Sequence, residues 1–467
     1  MARVDLDRSD GDAGARAGGL EPGGAEKHPR ARLARELRLS DATGLVVASV
    51  IGSGIFLTPG AIANLLPHAS LILGVWAVGG LLSLAGALAN AELGAMYPHA
   101  GGDYVYLREA FHPAAGFLVG WLSFFVIYAG TIATLAAGFG AGLGELAGLG
   151  ANEVLAVAVA LVIACSALNY LGVRRGAGAN NLNTGIKVAA LLLFAGAGLA
   201  TGRGQLSHIA GSAAAAGAPA SAFGLALSPV LFSYLGWNAS IYVASEIRDP
   251  VRNVPRSLFL GLGLCAAIYL LMNLVYLYAL PIGDLQGVPN AGEASARVLF
   301  GAAGGTLVAM LVLWSILGTL NATILVGPRI AYAMALDDLF FRGVDQAHAR
   351  FRTPSVAIVF QAAASIAILL LLRSFPSALD YTTFAIVLAT MADVAALYAL
   401  RWREPARRRP YRAWGYPLVP ALYVVANAAI AANMLWNRPK ECGIGLAILA
   451  AGLPFYGYFR RSARPAS

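Results

Sequence analysis

The sequence predicts an all-α polytopic membrane protein with twelve transmembrane helices. The 467 residues are 58% hydrophobic and only 12% charged, which is too apolar for a soluble multidomain protein. Apolar stretches of about 20 residues, long enough to cross a bilayer as helices, recur along the chain. The alternating pattern of membrane β-strands is absent from the sequence, so these stretches are expected to be helical.

Twelve such stretches follow one another with no soluble domain between them. Their centres lie near Ser53, Leu84, Ala129, Val162, Leu192, Leu235, Tyr269, Leu317, Ile366, Val387, Val425 and Leu449. The first 30 residues are polar and lack the apolar segment of a signal peptide. The predicted organisation is therefore a disordered cytoplasmic tail at 1–40, five helices in 41–202, five in 222–401, two in 415–459 and a cytoplasmic tail at 460–467.

Arginine collects in every second loop, starting with "RARLARELR" before the first stretch and including "RDPVRNVPR" after the sixth and "RWREPARRRPYR" after the tenth. By the positive-inside rule, this parity predicts that both termini face the cytoplasm of a cell whose inner (plasma) membrane holds the protein. The formal net charge of +9 then reflects topology, and no nucleic-acid partner is expected.

Residue patterns of catalysis, metal binding or a channel filter are missing from the sequence. The three cysteines have no metal or disulfide spacing, and the six histidines fall in the tail or loops without an HExxH-like arrangement. Rings of polar residues or a repeated filter are not visible either. We therefore expect no enzyme activity, no catalytic residue, no bound metal and no cofactor.

Two of the predicted helices carry a break near their centre. The first contains Gly52-Ser53-Gly54, and the sixth contains the segment Ser233 to Trp237. A glycine costs about 1 kcal/mol relative to alanine inside a helix, although small residues also serve close helix packing. Two central breaks five helices apart are typical of transporters built from two inverted repeats.

Such breaks expose backbone groups that suit an α-amino acid. Amide N–H groups at the start of a half-helix favour a carboxylate, and those concerned belong to Ser53, Gly54 and Ile55. Carbonyls at the end of a half-helix suit an ammonium, and those concerned belong to Val50, Ile51, Phe232 and Ser233. Acidic residues are absent from 42–66 and 223–245, which favours a zwitterionic amino acid over a polyamine.

Several long segments resemble the amino acid-polyamine-organocation superfamily, most closely its L-type amino acid transporter branch and bacterial relatives. They are "VVASVIGSGIFLTPGAI", "AELGAMYPHAGGDYVYLREAF", "FSYLGWNASIYVASEIRDPVRNVPRSL", "GTLNATILVGPRIAYAMALDDLFF" and "EPARRRPYRAWGYPLVPALY". The resemblance covers residues 41–458. It implies a LeuT-like fold, in which helices one to ten form a 5+5 inverted repeat, helices one and six are broken at the midplane, and two C-terminal helices follow.

The resemblance also implies which residues bind substrate. The core of the amino acid would be held by Val50, Ile51, Ser53, Gly54 and Ile55. Phe232 would be the aromatic gate, with Ser233, Tyr234, Leu235, Trp237 and Asn238 nearby and a wall contributed by 129–133. Where many L-type relatives have a small or acidic residue, this chain has Leu235, which favours small or medium neutral side chains.

Lys187 lies a turn into the fifth predicted helix and has two interpretations. One is a lysine that snorkels to the cytoplasmic interface. The other follows from the resemblance, because in relatives a lysine at this place occupies the region where sodium-coupled members of the fold bind sodium. That interpretation predicts sodium-independent transport, with proton linkage left open.

Three carboxylates lie near or within predicted helices. Glu92 and Glu246 stand near cytoplasmic ends, and we expect each to tie loops together by pairing with arginine. Asp393 lies in the tenth helix, where a hydrogen bond in helix packing is the default expectation.

Taken with the resemblance, these features predict a secondary transporter of neutral L-amino acids that alternates access, as an exchanger or proton-linked carrier. A cationic amino acid or polyamine permease and a channel-like facilitator remain alternatives. Animal L-type members join a glycoprotein through a cysteine between helices three and four, but "GELAGLGANE" in that loop has none. No disulfide-linked subunit is therefore expected, and the oligomeric state stays open.

Overall fold

The computed structural model describes residues 33, 35–210, 220–372, 375–437 and 439–462, and helices dominate these residues. The first nine helices are α1 (Leu39–Val50), α2 (Gly54–Leu57), α3 (Pro59–Leu65), α4 (Ala69–Met96), α5 (Asp103–Ala110), α6 (Pro113–Leu122), α7 (Ala129–Ala147), α8 (Ala151–Tyr170) and α9 (Val173–Ala200). A π-helical segment, Ser123–Tyr128, joins α6 to α7.

The remaining helices continue to residue 462. They are α10 (Ser207–Ala210), α11 (Ala220–Tyr234), α12 (Ala239–Tyr242), α13 (Pro250–Ala279), α14 (Ile282–Leu285), α15 (Ala291–Phe300), α16 (Ala302–Val326), α17 (Pro328–Leu336), α18 (Ser355–Leu372), α19 (Phe375–Arg403), α20 (Leu418–Asn437) and α21 (Pro439–Ser462). Most of the two predicted tails, 1–32 and 463–467, lies outside the described residues.

Ten helical stretches of the described chain have the length and composition needed to cross a membrane. The predicted stretch centred near Ile366 corresponds to the shorter apolar helix Ser355–Leu371, whereas the one centred near Leu235 is interrupted, because the apolar helix Ser221–Tyr234 ends just before that residue. The all-helical prediction and the multi-pass membrane assignment are thus confirmed. The count of twelve crossings remains a prediction.

The first spanning stretch is interrupted where its sequence carries small residues. Helix α1 ends at Val50 and α2 begins at Gly54, so residues 51–53 are not helical. A second interruption follows at Pro59, which starts α3 and has no N–H to continue the preceding ladder. The chain therefore runs through this region as short helical pieces separated by exposed backbone groups.

The second break also occurs at a segment that contains a glycine. Helix α11 ends at Tyr234 and α12 begins at Ala239. Gly236 in the gap has a φ of +89°, which glycine adopts far more readily than other residues. Both breaks thus occur at the glycine-containing segments that the sequence identified.

The broken helices lie inside the bundle, and others cover them. Helix α1 packs against α9, α13 and α16, and α13 also packs along α4. In the most apolar part of the stretch Leu39–Leu57, 67% of residues are buried, compared with 22% for α8 and for Cys442–Arg461 in α21. The peripheral helices therefore provide the apolar outer surface, while the breaks are enclosed by protein.

Arginine pairs hold loops and helices together around the two buried glutamates. Arg329 of α17 donates to both carboxylate oxygens of Glu246, at 2.7 and 3.0 Å. Arg401 donates to Glu92 at 2.5 and 3.0 Å, and Nε of Arg409 lies 3.1 Å from the same carboxylate. The predicted pairing of both glutamates with arginine is confirmed.

The end of the predicted N-terminal tail is structured where it meets this region. The backbone N–H of Leu37 donates to the carbonyl of Glu246 at 2.9 Å, and Arg248 N–H donates back to Leu37 at 2.8 Å. Leu37 is also buried. The residues just before α1 are therefore attached to the loop that contains Glu246.

Candidate functional site

A cavity of about 90 Å³ lies where the two helix breaks meet. Its walls come from the gap between α1 and α2, the gap between α11 and α12, the start of α7, and the facing sides of α16 and α19. Seven of the predicted substrate-binding residues line it: Val50, Ser53, Gly54, Phe232, Ser233, Leu235 and Asn238. The two broken segments thus contribute to the lining of one cavity.

Each break has a glycine packed against the other break. A Cβ atom added to Gly54 would lie within 2.6–2.9 Å of Ser233 atoms, and one added to Gly236 would lie 2.6–3.0 Å from Ser49. Both distances are too short for a side chain to fit without movement. The glycines therefore allow the two unwound segments to touch, in addition to interrupting their helices.

Tyr269 of α13 links the two breaks by hydrogen bonding. Its hydroxyl lies 2.6 Å from the carbonyl oxygen of Val50 and 2.8 Å from that of Ser233, so it can donate to either. The hydroxyls of Thr58 and Ser233 are also 3.1 Å apart. These contacts couple the position of one break to that of the other.

The ammonium of Lys187 lies at the first break. Its Nζ donates to the carbonyl oxygen of Ile51 at 2.5 Å and to the hydroxyl of Thr319 at 3.2 Å, and lies 3.5 Å from the Ala48 carbonyl. The side chain is 1% exposed, so it does not snorkel to an interface. The carbonyl end of α1 carries the negative end of the helix dipole, which stabilises a cation there.

The carbonyls of the first break are already used within the protein. The Ile51 oxygen accepts from Lys187 and lies 3.1 Å from the hydroxyls of both Ser315 and Thr319. The Val50 oxygen accepts from the Gly52 N–H as well as from Tyr269. Because a carbonyl has two lone pairs, neither oxygen is left fully free for a ligand.

Other backbone groups at the breaks are not used in this way. The N–H groups of Ser53, Gly54 and Ile55 stand at the start of a helical segment and donate to none of the described residues. At the second break, the Phe232 and Ser233 carbonyls each accept a single hydrogen bond, from the Leu235 N–H and from Tyr269 respectively. These groups retain capacity for a ligand in the cavity.

The other four predicted substrate-binding residues do not line the cavity. Tyr234 packs on Trp76 and Tyr269, with ring centroids 6.1 and 5.1 Å apart, and its hydroxyl donates to the Trp76 carbonyl. Trp237 packs beside Gly86 of α4. Ile51 and Ile55 are fully buried next to the break. Tyr234 and Trp237 therefore face the surrounding helices.

Sequence reasoning missed the polar side of the cavity. Hydroxyl groups lie there on Tyr128, Thr131, Tyr242, Thr319, Thr323 and Thr390, together with the carboxyl group of Asp103. Thr131 falls within the wall predicted at 129–133. Asp103 follows Gly101 and Gly102, whose positive φ values of +108° and +49° turn the chain inward. This glycine pair is the feature of the sequence that indicates a turn before Asp103.

Asp103 is the acidic residue of this wall. It is 1% exposed, and its Oδ2 accepts from the Tyr242 hydroxyl at 2.5 Å, while Tyr242 in turn accepts from Asn238 at 3.2 Å. The other oxygen, Oδ1, has no hydrogen-bond partner among the described residues. Burial raises the pKa of Asp103 above the ordinary range of aspartate, although the hydrogen bond from Tyr242 opposes the shift.

Asp393 lies against Asn90 of α4 and Asp103 of α5, the polar side chains with which the expected packing hydrogen bond can form. In the described chain, no well-aligned hydrogen bond reaches either of its oxygens or either amide atom of Asn90. Its carboxyl group is close enough to Asp103 to interact with it electrostatically. Within the described chain, no group of three or more His, Cys, Asp or Glu side chains is arranged to hold a metal ion.

Comparison with known proteins gives the family. A profile described as "Amino acid permease" matches residues 37–443. The serine/threonine exchanger SteT of Bacillus subtilis is 32% identical over 439 residues, which are 92% of this chain and 98% of SteT. The human Asc-type amino acid transporter 1 is 28% identical over 95% of this chain and 86% of its own length.

A mouse relative extends the comparison to the L-type branch. The large neutral amino acids transporter small subunit 2 is 28% identical over 91% of this chain and 81% of its own length. The relatives are permeases and exchangers rather than enzymes. The resemblance inferred from the sequence motifs is thereby confirmed, and the chain belongs to the amino acid permease family as an amino acid-polyamine-organocation permease related to the L-type transporters.

Proposed function

We propose that the protein is a sodium-independent secondary transporter of neutral L-amino acids with small or medium side chains. The observation that carries this proposal is the cavity enclosed by both helix breaks, lined by backbone groups that suit an α-amino acid. An alternating-access carrier needs such a site near the middle of its bundle, between two segments that can move relative to each other.

The carboxylate of the substrate binds to the N–H groups of Ser53, Gly54 and Ile55. Their availability at the start of a helical segment supports this role, because the positive end of the dipole lies there. The ammonium binds mainly at the carbonyls of Phe232 and Ser233, which accept fewer hydrogen bonds than those of Val50 and Ile51. Phe232 acts as the aromatic gate over the bound molecule.

The side chain of the substrate occupies the part of the cavity next to Leu235 and Asn238. A leucine in this wall limits volume, while the neighbouring hydroxyl groups accept a polar substituent. The relatives include a serine/threonine exchanger and a transporter of large neutral amino acids, which supports a neutral amino acid as substrate. Tyr234 and Trp237 hold the second break in place by packing against the surrounding helices.

Lys187 replaces a coupling sodium ion. Its ammonium is bound by carbonyl and hydroxyl oxygens of the first break and of α16, which are the ligand types that hard cations prefer. A fixed positive charge at this place stabilises the negative end of α1 without an ion from solution. Transport then runs without sodium, as exchange or linked to protons.

In the proposed architecture, twelve helices cross the inner (plasma) membrane, and both termini face the cytoplasm. Residues 41–202 and 222–401 form two inverted repeats of a LeuT-like fold, and 415–459 adds two helices. The protein works without a disulfide-linked subunit, in keeping with the loop before α8, which has no cysteine, and with the burial of Cys165, Cys265 and Cys442.

A thermal-shift screen of the purified protein against the twenty amino acids and several polyamines tests this proposal. Small and medium neutral L-amino acids are expected to raise the melting temperature, because a ligand that binds only the folded state stabilises it. A response to polyamines alone would refute the proposal. Counterflow then separates carrier from channel, since preloaded unlabelled amino acid accelerates uptake of label only if the site alternates.

A cationic amino acid or amine is the second candidate, and one observation favours it. Asp103 places a carboxyl group in the cavity wall. An ionised carboxylate at this position would attract a positive side chain. A larger thermal shift with arginine or lysine than with serine would select this alternative.

A further inference from the structure

Two buried carboxyl groups meet at the edge of the cavity. Asp103 of α5 lines the cavity, and Asp393 of α19 lies next to it. Their side chains are 1% and 0% exposed. Neither forms an ion pair with a described lysine or arginine, and three of their four oxygens make no well-aligned hydrogen bond to a described residue.

Among the described residues, no lysine or arginine is found beside this pair to balance its charge. Asn90 of α4 is fully buried and lies beside Asp393, and neither of its amide atoms makes a well-aligned hydrogen bond to a described residue. The titratable neighbours from the surrounding helices are tyrosines, namely Tyr106 of α5, Tyr128 of the π-helical segment, Tyr242 of α12 and Tyr423 of α20. A tyrosine hydroxyl can donate a hydrogen bond but supplies no cation.

Two negative charges cannot remain together in such a place at low cost. Their repulsion grows as the local dielectric falls, and a pair of carboxylates that share a site retains one proton well above the ordinary range. Protonation of one member turns a repulsive pair into an acid beside a carboxylate. The environment thus favours one bound proton.

We propose that Asp103 and Asp393 form a proton-binding site that shares one proton and whose occupancy is linked to amino acid binding in the adjacent cavity. This inference deepens the proposed transport function and rests on it for the linkage. It adds a proton site that is formed by α5 and α19 and is separate from Lys187 of α9.

The link between proton and substrate follows from the position of Asp103. A neutral side chain that fills the cavity replaces solvent with hydrocarbon in the space beside the buried Asp103, and the lower local dielectric makes an ionised carboxylate there less favourable. The proton-loaded pair therefore binds a neutral amino acid more tightly. By thermodynamic reciprocity, amino acid binding also draws a proton onto the pair.

Binding of L-serine to the purified full-length protein, followed by calorimetry from mildly acidic to mildly alkaline pH, tests the linkage. The wild-type affinity is expected to fall as pH rises, by at most about tenfold per pH unit for one linked proton. In Asp103→Asn and Asp393→Asn, binding is expected to persist with this dependence removed or strongly reduced. A pH-independent wild-type affinity, or an unchanged dependence in both variants, overturns the linkage.

A matched surface variant controls for a general effect of removing a carboxylate. Glu404→Gln alters an exposed acid that pairs with Arg407, and its pH dependence should equal that of the wild type. Asp103→Glu keeps a carboxyl group and should keep a pH dependence. A thermal unfolding midpoint for each variant shows that it is folded before binding is compared.

A second measurement tests the proton site without any amino acid. Infrared difference spectra between alkaline and acidic pH should show a protonated carboxyl band in the wild type that is lost in the Asp103→Asn/Asp393→Asn double variant. A band unchanged by that double substitution overturns the proton site. If L-serine fails to bind at every pH while the band behaves as expected, the proposed substrate fails but the proton site stands.

Discussion

Four buried carboxyl groups divide into two regions with opposite surroundings. Glu92 and Glu246 are fully buried, and arginines meet both of them at 2.5–3.1 Å. Asp103 and Asp393 are buried to the same degree, yet they lie beside each other without an ion-pair partner among the described residues. The two regions therefore differ in whether an arginine balances the charge of the carboxylate, and not in how deeply the carboxylate is buried.

This difference separates a structural role from a functional one. Removing a charge from water costs several kcal/mol, and a well-placed guanidinium offsets that cost for the glutamates. The aspartates have no such guanidinium among the described residues; the hydrogen bond from Tyr242 offsets part of the cost for Asp103, and binding a proton removes the charge itself. A permanently charged pair fixes two segments together, whereas a group that gains and loses a proton can respond to what occupies the neighbouring cavity.

The largest expected effect comes from breaking a compensated pair. Glu246→Gln leaves the buried guanidinium of Arg329 without its counterion, and we expect a loss of about 3–5 kcal/mol in the free energy of unfolding. Denaturant unfolding in detergent would measure it. Glu293→Gln is the control, because its pair with Arg297 is partly exposed and contributes about 1 kcal/mol or less. Equal losses in both variants would contradict the role assigned to the buried pair.

The next effect concerns the buried cation at the first break. Lys187→Ala removes the ammonium that binds the Ile51 carbonyl, and we expect amino acid exchange in proteoliposomes to fall about a hundredfold, equivalent to about 2.7 kcal/mol. Lys440→Ala, which alters an exposed lysine, should transport normally. Wild-type exchange should be equal in sodium and in choline buffer. Sodium-dependent exchange by the wild type would disprove the substitution of lysine for sodium.

A smaller effect is expected at the cavity wall. Leu235→Gly enlarges the space for the substrate side chain, and we expect uptake of bulkier neutral amino acids to rise about tenfold relative to serine. Competition by a series of unlabelled amino acids against labelled serine would measure the change. An unchanged order of preference would show that Leu235 does not limit the substrate. Leu422→Gly, on the outer face of α20, is the control for loss of a leucine in a helical protein.

Local sequence was sufficient to locate the two breaks. Gly52-Ser53-Gly54 and the segment around Gly236 weaken a helix wherever they occur, so their effect needs no knowledge of neighbouring helices. The direction of side chains after a break could not be predicted in the same way. Once the backbone unwinds, the helical period no longer tells which side Tyr234 and Trp237 face, and both pack against other helices.

The position of Asp103 in the cavity wall could not be predicted for a different reason. The segments that contain the breaks have no acidic residue, whereas Asp103 reaches the cavity from a separate helix after a glycine turn. Its relation to Asp393, 290 positions later, depends on how α5 and α19 pack. Long-range contacts of this kind are not contained in the periodicity of either segment.

The smallest expected effect is on stability in the uncompensated region, and its sign depends on pH. Because the pKa of Asp103 is raised in the folded protein, the stabilisation from its bound proton is fully present at acidic pH and is lost as pH rises through the folded pKa. Asp103→Asn keeps an acceptor for Tyr242 and does not titrate. We expect this variant to match the wild type at acidic pH and to be more stable than it, by about 1 kcal/mol, at alkaline pH.

Unfolding midpoints of both proteins across the pH range would measure this difference. The comparison isolates Asp103, since all other titrating groups are common to the two chains. If Asp103→Asn lost stability at alkaline pH, as Glu246→Gln is expected to do, then an unrecognised cation would compensate Asp103 in the folded protein. Asp103 would then belong with the structural glutamates, and the proton site would have to be abandoned.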